Sequence, residues 1–374
     1  MVKHFMMPGP TKVPDEVLAA MNDQYLSHRS DEFRQIFREV TEGLCRLTGA
    51  KETYVLPCSG TGAMEAALVN FVRPSDRVLV CTMGNFGERF VKIARGVGAD
   101  VDVLGVPWGE AIDVEQVVAA LRHDHAAVFV THNETSTGVS FDLESLATVR
   151  ERSDALIIAD GVSSVGSIPV DLSAGYPDVL AYASQKGLMT PPGLGMVAVG
   201  ERALSRMKKV SGFYFDLSLY RKSQEKSETP YTPAVSLWKA LRVALSLIER
   251  EGLDAVYRRH RICAEMTRAG VVAMGLPLFA RRNRSDSVTS VGPVDVSTRS
   301  VRKIMKEKYQ THVAGGQGDY AERLVRIAHM GCVTTSDIVG TLEALAFAFA
   351  ESGVSTDADA ARRAALEVLE QCGC

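Results

Sequence analysis

The sequence predicts an α/β protein, with a large domain built on a mostly parallel sheet between helices and a small C-terminal α+β domain. Three observations carry this expectation. Short apolar runs alternate with helical patterns through the first 200 residues. A polar, irregular stretch between Val210 and Pro233 then breaks the alternation. The 374 residues, 46% of them hydrophobic, are enough to bury a large core and a smaller one beside it.

Taken in order, "TYVLPC" leads to the helical "GAMEAALVNFV", and "DRVLVCT" leads to "NFGERFVKIARGVGA". "AAVFVTH" is followed by "DLESLATVRERS", and then come "ALIIAD", "DVLAYAS" and "MVAVG". Continuous apolar strands separated by helices are the pattern of a sheet covered on both faces. "GFYFDLSLYRKSQEKSETPYTP" is too polar and irregular to be core. The segment from Ala234 to Gly275 has apolar residues at helical spacing and is expected to form one long helix. A second unit becomes visible from about Leu276, with "SVTSVGPV", "RLVRIAHMG" and a final helix. The expected division is an N-terminal arm over 1–14 lying apart, a large domain over 15–255 and a small domain over 256–374.

A net charge of −3 with scattered basic pairs gives no surface for nucleic acid or membrane. No apolar stretch approaches the roughly 20 residues that span a bilayer. At the N-terminus, Pro8–Gly9–Pro10 interrupts any signal-peptide core. Seven scattered cysteines fit reduced thiols in a cytoplasmic protein. The terminal Cys372 and Cys374 are too few to clip a metal, so no metal site is expected.

Three local patterns carry chemistry. In "YVLPCSGTGAMEAAL" a strand turns through small residues into a helix, so unpaired N–H groups with Gly60 and Gly62 make an anion site. Ser59 and Thr61 add hydroxyls, though either would also serve as an ordinary N-cap. A dinucleotide fingerprint fails because Glu65 stands at its third glycine and "RVLVCT" ends without an acid. The anion is therefore one phosphate. Asp160 ends the apolar run "ALIIAD" at the edge where open α/β sheets bind ligands, where it would either meet a cation or cap the following turn. Lys186 leaves another strand end for the Pro- and Gly-rich "GLMTPPGLG". A solvated lysine is the simpler reading of that position alone. A lysine, a carboxylate and a phosphate cradle on one sheet edge are the needs of pyridoxal phosphate: amine for the aldehyde, carboxylate for the pyridinium, helix start for the phosphate.

The ordered motifs "MPGPT", "SHRSDEF", "SGTGAMEAAL", "THNETSTGV", "ADGVSSVG", "SQKG", "TPYTPAVSL" and "RIAHMGC" run nearly from end to end. With them the chain resembles the class V, fold-type I pyridoxal phosphate enzymes, specifically the alanine–glyoxylate and serine–glyoxylate aminotransferase group. The resemblance implies that Lys186 forms the Schiff base and that Asp160 partners the pyridine nitrogen. It implies that Ser59, Gly60, Thr61 and Gln185 hold the phosphate, and that Thr135 or Ser136 meets the ring hydroxyl. Phe86 stands where the family places a stacking aromatic, and its glycine-rich flanks suit a loop. Tyr231 and Thr232, rather than Thr229, would reach the phosphate of a partner subunit, giving a homodimer with shared sites. Arg326 lies in a short apolar strand, where it either grips the substrate carboxylate in two-point fashion or pairs with Glu322. Gly9 would let the arm's backbone approach substrate.

The implied reaction moves an amino group from alanine or serine to glyoxylate or pyruvate. Three alternatives stand beside it: a 2-aminoethylphosphonate–pyruvate transaminase, a cysteine desulfurase or lyase, and a non-catalytic subunit on the same scaffold. Cys58 and Cys332 are the thiols a desulfurase would need to use, although "SQK" differs from that group's "S-x-H-K".

Overall fold

The structure is a computed structural model that describes residues 2–22, 26–210 and 212–372. Cys374 lies outside the described residues. The chain begins with β1 (His4–Met6) and a helix at Asp31–Thr48. It then lays down β2 (Glu52–Leu56), β3 (Arg77–Thr82), β4 (Asp100–Gly105) and β5 (His125–Thr131). A small hairpin, β6 (Asn133–Glu134) and β7 (Val139–Ser140), follows, and then β8 (Leu156–Asp160), β9 (Val179–Ala183) and β10 (Gly195–Val199).

Among the described residues the large sheet has the order β2-β10-β9-β8-β5-β3-β4. Strands β4, β3, β5, β8 and β9 run parallel, and β10 is antiparallel to both of its neighbours. The continuous apolar runs have the expected cause. Side chains alternate across a strand, so Val128, Val130, Ile157 and Leu180 enter one core while Ala127, Phe129, Ile158 and Ala181 enter the other. The parallel strands end together at Thr82, Thr131, Asp160 and Ala183, and this edge carries the site.

The second sheet has the order β1-β12-β13-β11, formed with β11 (Val288–Val291), β12 (Thr311–Gly315) and β13 (Val325–Ala328). The N-terminal arm is thus not separate: β1 pairs in parallel with β12, His4 opposite Thr311, and Met6 enters the small core with Val313 and Ile327. The expected single long helix is two, Val235–Glu251 and Leu253–Ala273, broken at Gly252 with φ of +87°. The polar 212–233 segment also contributes more to the core than expected. Its helix Leu217–Gln224 buries Leu217 and Tyr220, and the Asn70 side chain accepts from Leu217 N (2.9 Å) and donates to Phe215 O (2.7 Å). Two apolar residues three apart are too few for a periodic signal. No described helix is long and apolar enough to cross a membrane.

Candidate active site

The helix Gly60–Val69 starts at the end of β2 with Ser59 as its N-cap, whose hydroxyl accepts from Gly62 N at 3.4 Å. Capping occupies Ser59 only in part, because the N–H groups of Gly60 and Thr61 still lack intrahelical acceptors. Gly60 is required here: a Cβ would meet the Val162 side chain at 2.9 Å, so the helix start lies directly against the loop after Asp160. Thr61 Oγ1 accepts from Arg89 Nη1 at 2.9 Å, and the same guanidinium lies 4.6 Å from the Phe86 ring centroid. Arg89 was not apparent from the sequence. The available signal was its helical i, i+3 spacing from Phe86, which puts both on one face.

Phe86 is half-buried in the first turn of the helix Asn85–Gly96, not in a loop. The glycines that suggested a loop serve close packing instead, since a Cβ on Gly87 would meet Thr82 Cα at 2.7 Å. The neighbouring hairpin supplies Thr135 and Ser136, and both hydroxyls are already engaged. Thr135 Oγ1 donates to Ser163 Oγ (2.6 Å), while Ser136 Oγ donates to Glu134 Oε1 (2.5 Å) and accepts from Asn85 N (3.0 Å).

Asp160, 3% exposed, accepts from Val162 N at 2.8 Å and makes no ion pair among the described residues. Of its two alternatives the turn cap holds, and no cation pairs with it among the described residues. Burial pushes its carboxyl up to about 7, opposed by the Val162 N–H and by the charges of Lys186 and Arg89. Lys186 is 8% exposed, which removes the surface reading. Its Nζ donates to Pro8 O, and burial, with Arg326 adding, brings the amine down to about 8. The arm is pinned beside it: Thr11 N donates to Gln185 O (3.1 Å) and Thr11 Oγ1 to Lys186 O (2.9 Å). Gly9, with φ of +125°, runs so close that any side chain there would fall on the Lys186 amine. Gln185 Oε1 is buried with no partner among the described residues.

Arg326 is 6% exposed and pairs with no carboxylate among the described residues. Its Nε donates to Gly315 O (2.6 Å) and Nη1 to Thr135 O (2.8 Å), while Glu322, the alternative partner, pairs with Arg299 (2.7 Å). Burial lowers the guanidinium to about 10, partly offset by Glu134.

Tyr231 and Thr232 are not brought to Lys186 within this chain. Tyr231 stacks on Tyr214 (5.3 Å) and donates to Phe213 O (3.2 Å), Thr232 is exposed, and the Thr229 hydroxyl donates to Tyr231 O (2.7 Å). Burial raises the thiols of Cys58, to about 11, and Cys332, so neither is poised as a thiolate.

A desolvated carboxylate with no cation among the described residues, a buried amine and a helix start beside an arginine fit pyridoxal phosphate group by group. The family model described as aminotransferase class-V matches residues 4–353 of this chain. The chain belongs to the class-V aminotransferases. It is accordingly a pyridoxal phosphate-dependent enzyme of amino-group transfer, on the fold-type I scaffold the sequence suggested. This class-V aminotransferase is 39% identical to the soluble hydrogenase small subunit of Synechococcus sp., with 93% of each chain covered. It is 36% identical to the serine–glyoxylate aminotransferase of Hyphomicrobium methylovorum, covering 98% of this chain and 95% of that one. In structure it resembles the ureidoglycine–glyoxylate aminotransferase of Bacillus subtilis, with a TM-score of 0.92 and 29% identity over 98% and 97% of the two chains. No group of His, Cys, Asp and Glu among the described residues could hold a metal ion.

The two displaced ionisations make the cofactor-free aminotransferase pH-sensitive in a defined way. Asp160 has its folded value raised from 3.8 to about 7, so the folded chain holds the extra proton between them and stability falls as pH rises through that window. Lys186 has its folded value lowered from 10.5 to about 8, so stability rises again across that upper window. Thermal unfolding of cofactor-free Asp160→Asn and parent protein from pH 4 to 7 is expected to show a falling Tm contribution in the parent that the variant lacks. Equal slopes in both would show that Asp160 is not desolvated.

Proposed function

We propose that this aminotransferase moves the amino group of a small amino acid, alanine or serine, to glyoxylate or pyruvate. The observation that carries this is Arg326, a buried guanidinium held by two carbonyls with no carboxylate of its own among the described residues. Such a cation is stable only if an anion visits it, and a planar two-point grip suits the α-carboxylate common to amino acids and 2-oxo acids. Gly9, on the arm against Lys186, brings bare backbone up to the amine, where the substrate would lie.

The cofactor would be held at the phosphate by Ser59, Gly60, Thr61 and Gln185, with Arg89 adding positive charge. Phe86 would lie against its ring, Thr135 or Ser136 would meet its hydroxyl, and Asp160 would hold a proton on its ring nitrogen. Bound there, pyridoxal phosphate supplies an electron sink for the substrate's α-carbon. Lys186 Nζ, lowered to about 8, is unprotonated often enough near neutral pH to take the α-proton and hand it back on the other side of the nitrogen. Arg326, held on the small sheet, would grip the carboxylate and so set that α-proton in reach of Nζ. Division into a large domain over 15–255 and a small domain over 256–374, with β1 of the arm joined to the small sheet, is part of the same proposal. So are a homodimer in which Tyr231 and Thr232 complete the partner's phosphate site and a cytoplasmic location that keeps the thiols reduced.

Half-reactions test the substrate. Arg326→Ala is expected to lower kcat/KM for alanine, serine and pyruvate by about thirtyfold or more, the worth of a desolvated charge pair of about 2–3 kcal/mol. Arg326→Lys should recover only part, having charge without the fork. A fast donor half-reaction with 2-aminoethylphosphonate, indifferent to Arg326 while pyruvate still depends on it, would replace this substrate class with the phosphonate donor.

A further inference from the structure

Glu134 has no exposed surface and no ion-pair partner among the described residues, yet every lone-pair direction of its carboxylate is in use. Its Oε2 accepts from Phe86 N and Gly87 N, both at 3.0 Å. Its Oε1 accepts from Ser136 N (3.1 Å) and Ser136 Oγ (2.5 Å), and that hydroxyl accepts in turn from Asn85 N (3.0 Å). Burial raises the proton affinity of Glu134, and the four donors with no acceptor around it oppose that and favour the ionised form. The helix Asn85–Gly96 needs such a group from outside, because its N-cap is Gly84, which has no side chain to offer its first N–H groups. Glu134, from the β6–β7 hairpin, caps that helix in place of the missing side chain, and its negative charge suits the positive helix end. A Cβ on Gly84 would collide with Glu134 and Ser136, so the glycine is what admits the carboxylate. The next residue, Thr135, offers its carbonyl to Arg326 Nη1 at 2.8 Å.

We infer that Glu134 is a positioning residue: one buried carboxylate holds Phe86 as the platform for the cofactor ring and keeps it in register with Arg326. This rests on Phe86 being that platform. Glu134→Gln keeps the size but turns one acceptor into an NH₂ facing N–H donors, so the first turn of the helix must shift. Cofactor affinity is measured by titrating pyridoxal phosphate into cofactor-free Glu134→Gln, Phe86→Ala and the double variant, following the visible band of the lysine-bound cofactor. Each single variant is expected to weaken binding by about tenfold, the worth of a stacked ring or of a charge-assisted hydrogen bond. The double variant should be no weaker than Phe86→Ala alone, because Glu134 acts through Phe86. Multiplying effects, or unchanged affinity in Glu134→Gln when Phe86→Ala is impaired, would overturn the inference. Unchanged affinity in Phe86→Ala would instead remove the platform on which it rests. If Glu134→Gln does not fold, Glu134→Asp replaces it in the same cycle. It keeps the charge but draws the carboxylate back from Phe86 N and Gly87 N, with about a threefold loss expected that Phe86→Ala abolishes, and a multiplying effect again overturns the inference.

Discussion

Lys186→Ala is expected to abolish amino transfer, lowering kcat by roughly 10⁴-fold or more, because one side chain is proposed as both nucleophile and base. The amine is buried, it makes no ion pair among the described residues, and burial has already lowered its proton affinity to about 8. The variant should still take up cofactor, since the helix start at Gly60, Thr61 and Arg89 is untouched. Borohydride reduction of the parent enzyme should leave the cofactor attached to the peptide containing Lys186. Attachment to any other lysine would remove Lys186 from the role.

Asp160→Asn should lower turnover by roughly 10²–10³-fold while leaving the fold in place, the scale on which a preorganised charge contributes in a water-excluded site. The amide is isosteric and can keep the bond from Val162 N at 2.8 Å, so the change is almost purely one of charge. A neutral amide cannot hold a proton on the ring nitrogen, and the ring without it is a poor electron sink. The measurement is steady-state turnover with the cofactor content checked by absorbance. Near-parent turnover at full occupancy would end the assignment. Paired with the pH-dependent unfolding of the cofactor-free variant, it separates the cost of burying Asp160 from the use the reaction makes of it.

Ser59–Thr61, Asp160 and Lys186 could be proposed from sequence because each is a local event. A strand ends, turn chemistry takes over, and the residue type at the strand end is set within a few positions. The parallel order followed from apolar runs that only a sheet covered on both faces can bury. Gly9 and Arg326 were legible as anomalies of type: a glycine between prolines in an arm, and a cation in an apolar strand.

The sequence by itself determined the strand ends and the sheet edge at which the proposed site residues stand, because those signals are written in short-range periodicity and turn propensity. Only the tertiary structure decided how they are supported. Glu134 reaches back 48 residues to Phe86, Arg326 reaches 191 residues to Thr135, and β1 joins β12 across most of the chain. Arg89 joins Thr61 in the same way, and Phe86 proved helical because a distant carboxylate, not its own N-cap, satisfies the first turn. A buried donor or acceptor must find a partner, but local sequence does not say which distant group will be brought to it. That choice is made only when the layers pack.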